Sequence, residues 1–162
     1  MFKVGEYVVY KKEVCKIIEI RKSHLNNDDY YIIVSLNDSS LKIDVPTANR
    51  CNYLRKTIFK EEVLALIKKI PNIETIQKDE KNLESEYKLL LSTGNHEDLI
   101  KIIKTTYLRN ENKLNNKKKL SDKDIHYFNQ AEKYLYTEFS IALDMNYDDT
   151  KNYVINEVEN LC

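Results

Sequence analysis

Glycine is nearly missing from this chain: Gly5 and Gly94 are the only two in 162 residues. A phosphate-cradling Walker loop and a dinucleotide-binding turn both need several glycines whose backbone approaches the ligand closely. A hydrolase nucleophile elbow needs two glycines around its serine. None of these can be built here. Cysteine is equally uninformative. Cys15, Cys51 and Cys162 are an odd number without a C-x-x-C spacing, and His24, His96 and His126 are scattered. Neither a zinc site nor a disulfide framework is expected, so the reading includes no metal and no cofactor. No H-E-x-x-H occurs, and the acidic pairs Asp28-Asp29 and Asp148-Asp149 read as loop or helix-start residues. No catalytic residue is assigned, and an enzyme is not expected. No apolar run approaches the roughly 18 residues that span a bilayer. The opening MFKVGEYVVYKK lacks the basic-then-apolar order of a signal peptide, so the expected location is cytoplasmic, away from membranes.

What is present divides into a β-rich part, residues 1–56, and a helical part, residues 57–162. Glu6–Tyr10, Val14–Arg21 and Tyr30–Leu36 are short runs rich in β-branched and aromatic residues, separated by polar turns at His24–Asp29 and Asn37–Ser39. Leu41, Ile43 and Val45 alternate with Lys42 and Asp44, the period of a half-buried strand, and Pro46 stops it. Four or five such strands make a small, strongly curved antiparallel sheet or barrel with edges that invite a partner.

In the second part, Val63, Leu66, Ile67 and Ile70 share one helical face that ends at Pro71. Leu83, Tyr87, Leu90 and Leu91 form the next face, with Gly94 placed to terminate it. Asn95 then reads as an N-cap for a helix carrying Leu99, Ile102, Ile103 and Thr106. Residues Asn110–Leu120 read as a polar loop. Ser121 and Asp124 read as a capping box before the stripe Ile125, Phe128, Ala131, Leu135, Phe139 and Ala142. A last helix follows Asn146 with Tyr153, Val154 and Val158. The fold class is therefore α+β, a small β domain followed by an all-helical bundle.

Net charge is zero but unevenly placed. Residues 1–70 hold 13 basic and 9 acidic residues, and residues 71–162 hold 13 and 17. Within the acidic part, residues 101–123 carry eight basic residues against Glu111 and Asp122. Such a stretch marks either a local anionic partner or a solvated loop in a lysine- and asparagine-rich chain.

The order of these parts, with several local strings, resembles the CarD/CdnL transcription regulators. The strings are FKVGEYVVY (Phe2–Tyr10), LKIDVPTAN (Leu41–Asn49), Leu54-Arg55, Leu91-Ser-Thr-Gly94, Tyr107-Leu108-Arg109 and Leu120-Ser121, followed by Ala131, Leu135, Glu138 and Ala142. The resemblance spans residues 2–143. It implies a non-enzymatic protein with a Tudor-like β-barrel domain that binds a lobe of the RNA polymerase β subunit, largely through a sheet edge. The same module occurs in transcription-repair coupling factors. It further implies a helical domain that touches promoter DNA beside the transcription bubble. On that basis Arg21, Lys42, Asp44 and Pro46 are the candidate polymerase contacts. Lys104, Arg109, Lys113, Lys117, Lys118 and Lys119 are the candidate phosphate contacts, weak and without sequence preference. A polymerase-binding adaptor without DNA binding is the alternative. Exposed edges and a hinge near Pro71 leave room for a homodimer formed by strand pairing or swapping.

The chain departs from the family in three places. Lys11-Lys12-Glu13 stands where members often have Pro, His and Gly, and Asp44 stands where a basic residue often precedes the Val-Pro. Many members wedge a tryptophan into the minor groove, and this chain has none. Glu80 falls near that position, so the wedge is absent or displaced to a side chain such as Tyr87, which also fits the core stripe.

Overall fold

The computed structural model of the chain describes residues 1–25 and 28–162. The chain divides into two compact units, Met1–Ile58 and Phe59–Cys162.

The first unit is a five-stranded antiparallel sheet of β1 (Tyr7–Tyr10), β2 (Glu13–Lys22), β3 (Asp29–Ser35), β4 (Lys42–Pro46) and β5 (Leu54–Lys56), in the order β4-β3-β2-β1-β5. Among the described residues the two outer strands do not pair with each other, so the sheet is open where the sequence suggested closure into a barrel. Alternation places Cys15, Ile17, Tyr31, Ile33 and Val45 on one face, where they pack with Val8 and Leu54. A register shift between Ile17 and Glu19 bends β2. Tyr10 and Glu13 pair across the β1–β2 turn, whose Lys11 takes a left-handed backbone (φ 57°). The Lys11 ammonium lies 5.4 and 5.1 Å from the ring centroids of Tyr10 and Tyr53, contacts that offset part of that strain. Of the turn expected at His24–Asp29, residues 26 and 27 lie outside the described residues.

The second unit contains α1 (Lys60–Lys69), a 3₁₀ turn at Ile70–Asn72, α2 (Glu80–Thr93), α3 (His96–Asn115), α4 (Asp122–Leu143) and α5 (Tyr147–Leu161). The expected punctuation is in place. Gly94 closes α2 in the left-handed conformation (φ 64°), and the side chains of Asn95, Ser121 and Asn146 cap α3, α4 and α5 by accepting from Glu97, Asp124 and Asp149 amides. Two expectations change. The stretch Asn110–Leu120 is not all loop, because α3 continues to Asn115. In α4 the buried positions include Tyr127, Ala131, Glu132, Leu135, Tyr136, Thr137, Glu138 and Phe139, while Ile125, Phe128 and Ala142 are half-buried. α4 packs against α1, α2, α3 and α5, so it is enclosed on more than one face and a single stripe does not describe it. Its buried acids are satisfied by neighbours: Glu132 by Lys151 at 3.0 Å and Glu138 by His96 at 2.8 Å. No helix among the described residues is long and apolar enough to cross a membrane.

Candidate protein-binding edge and charged helical face

The two edges of the sheet differ in hydrogen bonding. In the β3–β4 ladder, Ser35 donates to Leu41 O and Thr47 donates to Asp29 O. Alternation along β4 therefore turns the main-chain groups of Leu41, Ile43, Val45 and Thr47 toward β3. The main-chain groups of Lys42, Asp44 and Pro46 face outward. Pro46 has no N–H, and its carbonyl accepts from Asn49 N at 3.0 Å. What remains at the edge is one N–H and one C=O each from Lys42 and Asp44.

At the other edge most of the corresponding groups are already engaged. Lys11 N donates to Tyr53 O, so Leu54 and Lys56 are the β5 residues turned outward, and the Lys56 carbonyl accepts from Arg55 Nη1 at 3.0 Å. At Leu54 both groups are engaged. Its carbonyl accepts from Asn49 Nδ2 at 2.9 Å and its N–H donates to Asn49 Oδ1 at 3.1 Å. Asn49, itself left-handed (φ 48°), mimics a neighbouring strand at Leu54 and covers that part of β5. Nothing in the sequence assigned Asn49 this role. Its place three residues beyond Pro46, in a segment with asparagines at 49 and 52, was the available signal.

The side chains proposed for polymerase contact are brought together. Arg21 pairs across with Tyr30, and Tyr30 with Pro46. In the next row Glu19 pairs with Ile32 and Ile32 with Asp44, and in a further row Val34 pairs with Lys42. Residues paired in this way project to one face, so Arg21, Lys42, Asp44 and Pro46 share the face opposite the core that holds Tyr31, Ile33 and Val45. Arg21 is exposed and grips the Glu19 carboxylate at 3.3 and 3.1 Å. Its pKa is raised above the usual arginine value by the Glu19 hydrogen bonds and charge, with a smaller contribution from Asp44.

The basic candidates on the helical unit fall into two groups. Lys104 Nζ donates to the carbonyls of Ile70, Pro71 and Ile73 at 3.0, 3.0 and 2.7 Å, closing the end of α1 and the 3₁₀ turn. Arg109 bridges Glu80 and the fully buried Asp124, which also accepts from Tyr87 Oη at 2.9 Å and lies 3.6 Å from Lys113 Nζ. Glu80 in turn faces Lys123 at 3.6 Å. The Arg109 hydrogen bond holds Glu80 below the usual glutamate range, whereas burial, reinforced by Asp124, pushes the Tyr87 phenol up. Tyr87 is fully buried and belongs to the core, not to a displaced wedge. Lys117, Lys118 and Lys119 form the second group. They are exposed in the α3–α4 connection, with Lys117 in a left-handed backbone.

Cys15 is buried in β2, and its thiol is pushed up to about 11 by burial and the nearby Glu13 charge. Cys51 and Cys162 are exposed and free. Among the described residues no three His, Cys, Asp or Glu side chains are grouped as a metal site would require.

The two edges of this small antiparallel sheet thus differ: Asn49 occupies the outward groups of Leu54 in β5, whereas β4 presents the outward main-chain groups of Lys42 and Asp44, the kind of edge to which a further strand can add. Residues 2–58 match the CarD-like/TRCF RID domain, so the N-terminal unit belongs to the CarD/CdnL-type family of RNA polymerase-interacting domains. The match covers about a third of the chain and ends where the helical unit begins. No curated protein sequence matches the chain.

Proposed function

We propose that this protein is a regulator of transcription initiation that adds its β4 edge to a strand of the RNA polymerase β-subunit lobe. One observation carries the reading: in a domain of polymerase-interacting type, the β4 edge keeps unpartnered outward groups at Lys42 and Asp44, while Asn49 occupies those of Leu54 at the other edge. Main-chain pairing supplies the affinity, and the neighbouring side chains Arg21, Lys42, Asp44 and Pro46 supply the preference for one strand. The curved open sheet is compatible with the Tudor-like half-barrel that the resemblance implies. The helical unit contacts promoter DNA weakly and without sequence preference through the exposed lysines 117–119.

A second reading, a polymerase-bound adaptor that does not touch DNA, has an observation in its favour. Lys104, Arg109 and Lys113 are engaged by internal acceptors, so much of the positive charge over 101–123 is already compensated. Capture of the polymerase β lobe by the intact protein, compared with Arg21→Glu, tests the common part. The expected result is retention by the wild type and loss of about tenfold or more in affinity for the charge reversal, as for close charge pairs across an interface. No retention of β by the folded wild-type protein would refute both readings.

A further inference from the structure

We infer that the β4 edge also pairs with the β4 edge of a second copy of this chain, in a single antiparallel register centred on Ile43. The outward groups limit the choices. Only Lys42 and Asp44 retain both an N–H and a C=O at the edge, because Pro46 has no donor. Three antiparallel registers engage them. Placing Lys42 against Lys42 of the other copy forms one hydrogen-bonded pair and sets two ammonium groups opposite each other. Placing Asp44 against Asp44 opposes two carboxylates and spends the neighbouring position on Pro46. Like charges directly opposite are destabilising in a sheet.

The third register sets Lys42 against Asp44 and Asp44 against Lys42 about a two-fold axis at Ile43. Both are hydrogen-bonded pairs, so all the remaining outward donors and acceptors are used. Paired residues project to the same face, so each ammonium meets a carboxylate on both sides of the axis. The triplet Lys42-Ile43-Asp44 is thus its own complement: the strand it accepts is one that reads basic, any, acidic, and this chain carries one. The interface is isologous and closes on itself, which ends growth at a dimer. Because the same edge is assigned to polymerase in the preceding reading, self-pairing and polymerase docking compete, but the pairing itself does not rest on that reading.

Sedimentation velocity on the full chain, without polymerase, from micromolar to about millimolar concentration tests the register. The wild type is expected to shift from monomer toward dimer as concentration rises. Lys42→Asp alone and Asp44→Lys alone each turn both attractive pairs into repulsive ones, and each is expected to weaken association about tenfold. An equimolar mixture of the two variants is expected to associate again, since each strand then meets the opposite charge, and the double exchange in one chain is expected to dimerise like wild type. In parallel, amide hydrogen exchange at Lys42 and Asp44 is expected to slow with concentration, while exchange at Ile43 and Val45, already bonded to β3, stays constant. A wild type that remains monomeric with unchanged exchange at Lys42 and Asp44 overturns the proposal. So does association of either single variant, confirmed folded by circular dichroism, at wild-type strength.

Discussion

Asn49 and Leu54 are joined by two hydrogen bonds, Nδ2 to the Leu54 carbonyl at 2.9 Å and the Leu54 amide to Oδ1 at 3.1 Å, so one side chain takes the bonds that a neighbouring strand would make at Leu54. Asn49→Gly keeps the left-handed backbone (φ 48°) accessible and removes only the amide. It is expected to destabilise the N-terminal unit by about 1–3 kcal/mol, the cost of leaving partly buried backbone groups without partners. Asn49→Ala is expected to cost about 1 kcal/mol more, because alanine is strained where φ is positive. Urea unfolding monitored at a residue of the sheet measures both, and equal midpoints for all three proteins would show that these two bonds are not stabilising.

The buried end of the Glu80–Arg109–Asp124–Tyr87 cluster makes the helical unit sensitive to alkali. Burial raises the phenols of Tyr87 and Tyr136, and pushes that of Tyr147 up to about 12. A phenol raised in the folded state contributes stability that is fully present below its ordinary value, about 10, and is lost as pH rises beyond it. The helical unit is therefore expected to weaken progressively above pH 10. Tyr87→Phe is expected to cost about 1 kcal/mol at neutral pH, through the lost hydrogen bond to Asp124, and to flatten the alkaline decline. Thermal unfolding between pH 7 and 11 checks this. At the acid end, the Glu80 contribution is present above the ordinary glutamate value and is lost as pH falls below it, through the lowered folded-state value. Because Glu80 is exposed, that loss is small and vanishes in salt.

Lys117, Lys118 and Lys119 decide between the two functional readings. If they contact phosphates, reversing all three to Glu lowers promoter affinity and flattens the dependence of log affinity on log salt by roughly 3 units, about 0.9 per lost contact. Polymerase binding is expected to be unchanged. Filter binding at several salt concentrations reports the slope, and an unaltered slope supports the adaptor reading.

Local signals carried most of the fold. Gly94, Asn95, Ser121 and Asn146 act within one turn of themselves, so their capping roles could be read without tertiary knowledge. The alternation around Ile43 likewise placed β4 and its outward Lys42 and Asp44. What was not legible depends on distant partners. β5 is three residues long and exists as a strand through pairing with β1, too short for any period to register. α3 runs past Asn110 although its last turns are polar, and Arg109 and Lys113 there reach Asp124 of α4. Lys104 read as a free cation because the three carbonyls that hold it come from residues more than thirty positions away. The Glu132 and Glu138 positions look like a solvated face until α5 and α3 bring Lys151 and His96 to them.

The central claim is that the outward backbone of β4 binds the polymerase β lobe, and Asp44→Pro tests it most directly. Asp44 N–H faces away from β3, so proline there removes the edge donor and adds a steric block without breaking an internal ladder bond. Affinity of the full chain for the isolated β lobe, measured by calorimetry for wild type, Asp44→Pro and Asp44→Ala, gives the answer. The account predicts that Asp44→Pro binds at least about tenfold more weakly than Asp44→Ala, with both variants folded as judged by amide exchange at Ile33 and Ile43. Equal binding by the folded proline variant and wild type would contradict it.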